Sequence, residues 1–108
     1  MFLCGLKRIK MIIRIVKLTM REEEVTTFKT YFATVCETIR SQEGCNLLEA
    51  WQDIHQPNIF FTYSLWNKEE DLNKYRDSAF FGQFWKTVKP WFGAKAEVWS
   101  FNKIVELP

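Results

Sequence analysis

The sequence predicts a single α+β domain of ferredoxin-like βαββαβ order, with a four-stranded antiparallel sheet and two helices on one face. Four segments are rich in β-branched and aromatic residues, which indicates strands. Two segments repeat apolar residues at intervals of three and four, which indicates amphipathic helices. They alternate along 108 residues as strand, helix, strand, strand, helix, strand. Because such crossovers are right-handed, both helices are expected on the same side of the sheet.

The first strand and the first helix come at the start of this order. Residues 12–20 hold three isoleucines and a valine, which favours a strand. Thr19 and Glu22 have the spacing of a capping box, so the helix is expected to begin there. Gly44 is a natural stop after its last turn. The apolar stripe of this helix consists of Val25, Phe28, Phe32, Val35 and Ile39.

A hairpin comes after the first helix. Residues 45–54 and 59–66 are both predicted strands. Between them lies a turn around Pro57, since proline fixes φ and cannot donate to a strand ladder. The two strands are therefore expected to pair with each other.

The second helical region is predicted to start at Asn67, with Glu70 in the capping-box position. Leu72 and Tyr75 lie on its apolar side. A break is expected at residues 77–78, Asp and Ser, because both are good caps. The restarted segment carries Phe80, Phe84, Val88 and Trp91 on one face, ends near Pro90 and Gly93, and leads into a last strand over residues 96–105.

Aromatic residues are unusually frequent, at 17%, with ten Phe, five Trp and three Tyr. Each ring buries roughly 150–250 Å², and a domain of this size has limited interior. Some rings are therefore expected to line a cavity or a subunit interface, the alternative being an aromatic-rich core.

The charge distribution argues against nucleic acid and against an anionic membrane surface. Lys7, Arg8 and Lys10 supply the excess of the +2 net charge, and the rest of the chain carries 12 basic and 13 acidic residues. An RNA-binding domain of the same order would show a basic residue and a glycine among the aromatics of its third strand. Residues 59–66 have neither. No apolar run approaches the roughly 20 residues of a membrane span.

The cysteines Cys4, Cys36 and Cys45 form no CxxC pair, and His55 is the one histidine. This pattern indicates neither a disulfide framework nor a metal site, and it fits a reducing, cytoplasmic setting. Residues 1–10 precede a second methionine, Met11, and are interpreted as an extension or a misplaced start. The domain itself is expected over residues 11–105.

A homodimer is expected from the two faces of the sheet. A sheet wet on one side should alternate apolar with polar residues. Here both parities of the first and third strands are at least half apolar. In the third strand Ile59, Phe61, Tyr63 and Leu65 alternate with Phe60, Thr62, Ser64 and Trp66, and in the first strand Ile13 and Ile15 lie on the side opposite Ile12, Val16 and Leu18. A second copy is the simplest cover for such a face.

The third strand and the helical region after it resemble antibiotic biosynthesis monooxygenase domains. The strand IFFTYSLW ends in Trp66, and the acidic helix start Glu69-Glu70 comes next. Tyr75, Ser78 and a phenylalanine-rich segment then come in the family's order. Glu43-Gly44-Cys45 also matches the entry to the family's second strand, and the resemblance covers roughly residues 11–103.

The resemblance implies a dimeric α/β barrel with a pocket between sheet and helices in each protomer. It also implies oxidation of a small phenol or quinol by O2 with no metal, flavin or other cofactor. A histidine common near Tyr75 in the family is absent here. The alternative is a non-catalytic dimeric module that binds a small apolar ligand or another protein, and the lack of a recognisable acid–base pair favours it.

Two side chains are the catalytic candidates. Tyr75 could donate to a phenol or quinone oxygen, or it could be a helix tyrosine bonded to backbone. Arg14 interrupts an apolar strand, so its guanidinium needs an anion or a carboxylate partner such as Glu97 or Glu49. The candidates for substrate binding are Trp66, Phe81, Phe84 and Trp85, which could equally be core.

Three further residues are given structural roles. His55 beside the Pro57 turn is expected on the surface, although Asp53 could orient it as a base if the hairpin tip folded over a pocket. Cys36 on the first helix is expected to be a small buried residue rather than a nucleophile, since no histidine is placed to activate it.

Overall fold

The computed structural model describes residues 11–108 and shows the predicted order of elements. The strands of the sheet are β1 (Ile12–Thr19), β2 (Cys45–Gln52), β3 (Ile59–Trp66) and β4 (Glu97–Asn102). The helices are α1 (Val25–Arg40), α2 (Glu69–Arg76) and α3 (Ala79–Val88), with 3₁₀ turns at Glu22–Glu24 and Lys89–Trp91. The second helical region is thus two helices, divided where the sequence predicted a break. The interpretation of residues 1–10 lies outside the described residues.

The sheet is fully antiparallel, with the strand order β2-β3-β1-β4. β1 is central, so Ile15 faces Tyr63 of β3 on one side and Trp99 of β4 on the other. Arg14 lies between Ser64 and Ser100 in the same way. This is the sheet of a ferredoxin-like domain, as predicted.

The helices cover one face of the sheet, and the core lies beneath them. Even-numbered residues of β1 and β3 point to this face, where Leu18 and Trp66 are each 1% exposed. The predicted stripe of α1 is confirmed, because Phe28, Phe32 and Ile39 are buried. Leu72 and Tyr75 of α2 and Phe84 and Val88 of α3 complete the core.

The predicted N-terminal caps of α1 and α2 are wrong. Thr19 still belongs to β1, and α1 starts only after the 3₁₀ turn, with no side-chain cap at Glu24. Asn67 does not cap α2 either, because its side chain accepts a hydrogen bond from the Asn46 amide. Thr19 is instead paired with Ile59 in the sheet, and the Asn67 side chain is bonded to Asn46 of β2.

The cap predicted at Ser78 is confirmed. Its hydroxyl accepts from the backbone N–H of Phe81 at 3.1 Å and donates to the Tyr75 carbonyl at 2.7 Å. Ser78 therefore ends α2 and begins α3 at the same residue. The predicted strands at residues 45–54 and 96–105 are shorter than expected, ending at Gln52 and Asn102.

The face of the sheet opposite the helices carries large apolar side chains. Trp51, Trp99 and Phe101 are 44%, 39% and 48% exposed, and Trp51 stacks on Tyr63 with ring centroids 5.2 Å apart. None of the helices formed by residues 11–108 packs on this face. We call it the open face. None of the helices in the described part of the chain is long and apolar enough to cross a membrane.

Candidate functional site

A partly enclosed cavity lies between the helix face of the sheet and the three helices. Its volume is about 40 Å³. A water needs roughly 10–15 Å³ of such space, so the cavity has room for about three waters. All six residues proposed from the sequence as site residues line it, namely Arg14, Trp66, Tyr75, Phe81, Phe84 and Trp85.

The wall next to β3 is set by Trp66. Its indole ring is 1% exposed and stacks on Tyr75 with ring centroids 5.1 Å apart and planes 24° from parallel. Its Nε1–H donates to the Ser64 hydroxyl at 3.0 Å. The stacking and the hydrogen bond together fix the orientation of the indole ring, and the buried N–H has an acceptor.

The opposite wall is made by α3. Phe81 meets the face of Tyr75 edge-on at 5.0 Å, and Trp85 lies edge-on to both Phe81 and Phe84 at about 6 Å. Phe84 is buried, whereas Phe81 and Trp85 are half-buried. The Ser78 cap fixes where α3 begins, and so it fixes which of these rings point at the cavity.

Arg14 brings a positive charge into this apolar setting. Its side chain points into the cavity and is 8% exposed. No carboxylate of residues 11–108 lies within 4.0 Å of the guanidinium, so the predicted ion pair with Glu97 or Glu49 is wrong. Those two carboxylates belong to the open face. Glu97 pairs with Lys17 at 3.8 Å, and Glu49 accepts from the Trp51 indole at 2.9 Å.

The electrostatics of Arg14 are governed by burial. Desolvation is the main cause that lowers its pKa, the nearby Arg76 lowers it further, and Tyr75 acts in the other direction. An arginine nevertheless stays charged at neutral pH. Within the described residues, the cavity thus holds a cation with no counter-charge.

Tyr75 places its hydroxyl beside this cation. Burial raises its pKa well above the ordinary value, and the opposing attraction of Arg14 is weaker. The hydroxyl is therefore protonated at neutral pH. It makes no hydrogen bond to residues 11–108, so the alternative of a tyrosine bonded to backbone is not what the structure has.

Sequence reasoning missed Ser64 and Thr62, which also line the cavity. Ser64 is 6% exposed and lies directly across from Arg14 in the β1–β3 register. Strand parity could have found both, because they share a face with Trp66. Without knowing which face the helices cover, however, their polarity would equally indicate solvent.

The other residues considered from the sequence lie away from the cavity. His55 is exposed at the hairpin tip, as expected, and Asp53 accepts from the backbone N–H groups of His55 and Gln56 at 2.8 Å each. These bonds lower the pKa of the Asp53 carboxyl. Asp53 therefore shapes the turn and does not orient the imidazole. Cys36 is half-buried, and its thiol lies 3.7 Å from the Ala33 carbonyl.

The sequence matches the family model of the antibiotic biosynthesis monooxygenases over residues 11–87. The chain belongs to the antibiotic biosynthesis monooxygenase family. The matched residues include Arg14 of β1, Trp66 of β3 and Tyr75 of α2, together with the three candidate residues of α3. The resemblance recognised in the sequence is confirmed. None of the curated proteins matches this chain.

Solved structures share the fold of this family member. A protein of Nitrosomonas europaea provisionally named as an antibiotic biosynthesis monooxygenase has a TM-score of 0.83 and 16% identity, covering 90% of this chain and 93% of that one. A conserved protein of Methanosarcina mazei Go1 has a TM-score of 0.81 and 20% identity, with 86% and 92% covered. A protein of Bordetella bronchiseptica, also provisionally named as an antibiotic biosynthesis monooxygenase, has a TM-score of 0.78 and 20% identity. The match covers 88% of this chain and 98% of that one.

Proposed function

We propose that the chain is a cofactor-independent monooxygenase that oxidises a small phenol or quinol with O2 in the cavity beside Arg14 and Tyr75. The observation that carries the proposal is the buried cation in an aromatic-lined cavity. A ring needs apolar walls, and an oxygen that becomes negative during the reaction needs fixed donors in a dry site. Arg14 and Tyr75 are the catalytic residues of the proposal, and Trp66, Phe81, Phe84 and Trp85 hold the ring.

The reaction balances without an external reductant. A phenol and O2 give a quinone and water. One oxygen atom enters the ring opposite the phenolic oxygen, and the other leaves as water with the phenolic proton and the displaced ring proton. All four electrons come from the substrate. The guanidinium and the Tyr75 hydroxyl stabilise the phenolate, which is the electron-rich species that reacts with O2.

The aromatic ring of a phenol is larger than the cavity in this structure. An engineered apolar cavity that binds benzene has about 150 Å³, against about 40 Å³ here. Phe81 and Trp85 are half-buried, so their side chains can rotate outward at less cost than Trp66 or Phe84. We propose that these two residues of α3 move when substrate enters.

A homodimer is part of the proposal. Trp51, Trp99 and Phe101 give the open face exposed apolar surface of a kind that monomers rarely carry, and a second copy would bury it. The alternative function, a non-catalytic dimeric module that binds a small ligand or another protein, is favoured by the small volume of the cavity. It is also favoured by the cavity lining, which within residues 11–108 contains no carboxylate and no histidine.

Oxygen consumption with a panel of phenols and hydroquinones separates the two functions. The proposal predicts uptake that depends on protein and falls at least tenfold in Tyr75→Phe and in Arg14→Met. Tyr31→Phe is the matched control, because Tyr31 lies on α1 outside the cavity lining. No uptake with any member of the panel, or uptake that both cavity variants retain, would remove the enzymatic assignment of these residues.

A further inference from the structure

We propose that the site takes its phenol already ionised, so that its substrates are phenols acidic enough to lose their proton in water near neutral pH. Their acidity would come from a conjugated carbonyl or nitro group. This inference rests on the proposed function for its biological meaning, but the binding it describes can be measured without turnover. It depends on which groups the cavity offers to an incoming hydroxyl group.

The cavity offers hydrogen-bond donors but no base. Among its described lining residues, Arg14 and Tyr75 are the only ones that titrate. A guanidinium cannot accept a proton, and the Tyr75 hydroxyl already holds its own, so neither group can act as a base. The Ser64 hydroxyl accepts from Trp66, so its own hydrogen is left to donate toward the cavity.

Among residues 11–108, the groups that act on Arg14 and Tyr75 from outside the cavity do not supply a base either. Arg76 of α2 is the other charged group that acts on Arg14, and it is also a cation. Cys45 of β2 lies near Tyr75, but burial raises the pKa of its thiol, and the thiol contacts the Leu47 carbonyl at 3.7 Å. A neutral phenol entering this site would therefore keep its proton.

An uncompensated cation also selects the charge of the ligand. Removing a guanidinium from water is costly unless an anion or several acceptors replace the water. A phenolate supplies the missing charge and accepts from Arg14, Tyr75 and Ser64 at once. A neutral phenol can exchange hydrogen bonds with the hydroxyl groups of the lining, but it brings no negative charge and leaves the guanidinium uncompensated.

The test uses 4-nitrophenol and 4-methylphenol, which have similar shape but very different acidity. The nitrophenolate band is visible, so it reports the protonation state of the bound molecule directly. At a pH below the pKa of free 4-nitrophenol, adding protein should raise this band. The dissociation constant should fall as the pH rises through that pKa, while 4-methylphenol binds at least tenfold more weakly throughout.

Arg14→Met tests the role of the cation. It should weaken nitrophenolate binding roughly ten- to hundredfold, as expected for the loss of a charge-assisted hydrogen bond. It should also raise the melting temperature of the free protein, because an unpaired buried charge is replaced by an apolar chain of similar length. The higher melting temperature shows that lost binding is not lost folding, and Arg14→Lys should retain part of the band.

Each outcome has one meaning for the inference. Binding of 4-nitrophenol without the phenolate band, equal binding of 4-methylphenol, or binding of neither probe would overturn it. Nitrophenolate binding with no oxygen uptake from any phenol would leave the anion site standing and remove the monooxygenase. Oxygen uptake with weakly acidic phenols at neutral pH would support the monooxygenase and overturn the inference that the phenol must arrive ionised.

Discussion

The indole of Trp66 and the hydroxyl of Ser64 are joined by a buried hydrogen bond of 3.0 Å between neighbours on one face of β3. Ser64 also faces Arg14 across the β1–β3 pair. One short polar residue thus fixes the largest ring of the cavity wall and lies next to its only described charge. The wall, the ring and the cation are therefore set by two adjacent strands of a rigid sheet.

Ser64→Ala should destabilise the protein by about 1–3 kcal/mol, because the Trp66 N–H would be left buried without an acceptor. The free energy of unfolding from urea denaturation measures this. Ser100→Ala is the matched control, since Ser100 also faces Arg14 but is exposed on β4. Equal stability of the two variants would mean that the Trp66 bond contributes nothing.

Tyr75→Phe should leave the stability of the protein within about 1 kcal/mol of the original, because the hydroxyl bonds to no described residue and the stacked ring is kept. The same change should reduce turnover at least tenfold and weaken nitrophenolate binding. Thermal unfolding beside oxygen uptake separates the two effects. A large loss of stability would show that the hydroxyl has a structural partner.

Stability should fall at alkaline pH, and Tyr75 should account for part of the fall. Its pKa is raised on folding, so above the ordinary value of about 10 the unfolded chain releases the proton while the folded protein keeps it. The contribution is complete below pH 10 and is lost above it, by up to about 1.4 kcal/mol per pH unit. When the free energy of unfolding is measured by urea denaturation from pH 8 to 11, it should fall more steeply with pH for the original protein than for Tyr75→Phe.

Two glycine-to-alanine changes should affect the free energy of unfolding in opposite directions. Gly44 has φ of +84°, and a side chain there would collide with the buried Asp71. Gly44→Ala should therefore cost at least about 2 kcal/mol, of which the left-handed backbone alone accounts for about 1–2 kcal/mol. Gly82 lies in α3 with nothing near its missing side chain, so Gly82→Ala should add about 0.5–1 kcal/mol. Denaturation midpoints decide both.

Ile15→Glu should shift the protein from dimer to monomer at micromolar concentration. Ile15 lies in the middle of the open face, between Tyr63 and Trp99, where a carboxylate would be buried against a second copy. Light scattering after gel filtration gives the mass. Gln83→Glu adds the same charge on the exposed side of α3 and should stay dimeric. A monomeric original protein would overturn this part of the proposal.

The order of elements could be predicted because each one shows a local pattern. The isoleucines of β1, the apolar stripe of α1 and the Ser78 cap act within a few residues, and all three are found in the structure. The errors at Thr19 and Asn67 have the opposite cause. Both residues fitted a local capping rule, but Thr19 pairs with Ile59 in the sheet and the Asn67 side chain bonds to Asn46.

The site was predicted as a set of residues but not as an arrangement. The need of Arg14 for a partner could be predicted from sequence, since a charge in an apolar strand is costly. The absence of a carboxylate partner among the described residues could not be predicted, because Glu97 and Glu49 belong to strands of the same small sheet and could have faced Arg14. In the structure both glutamates lie on the face opposite the helices. The sequence does not show which face of the sheet the helices cover.

The sequence by itself determined the βαββαβ order, the family and the identity of six of the residues that line the cavity. These depend on periodicity, capping and motif, which are properties of neighbouring residues. Only the tertiary structure decided that Arg14, Tyr75 and Ser64 meet in one place without a base among the described residues. That outcome depends on which face of the sheet the helices cover, and therefore on the packing of the whole domain.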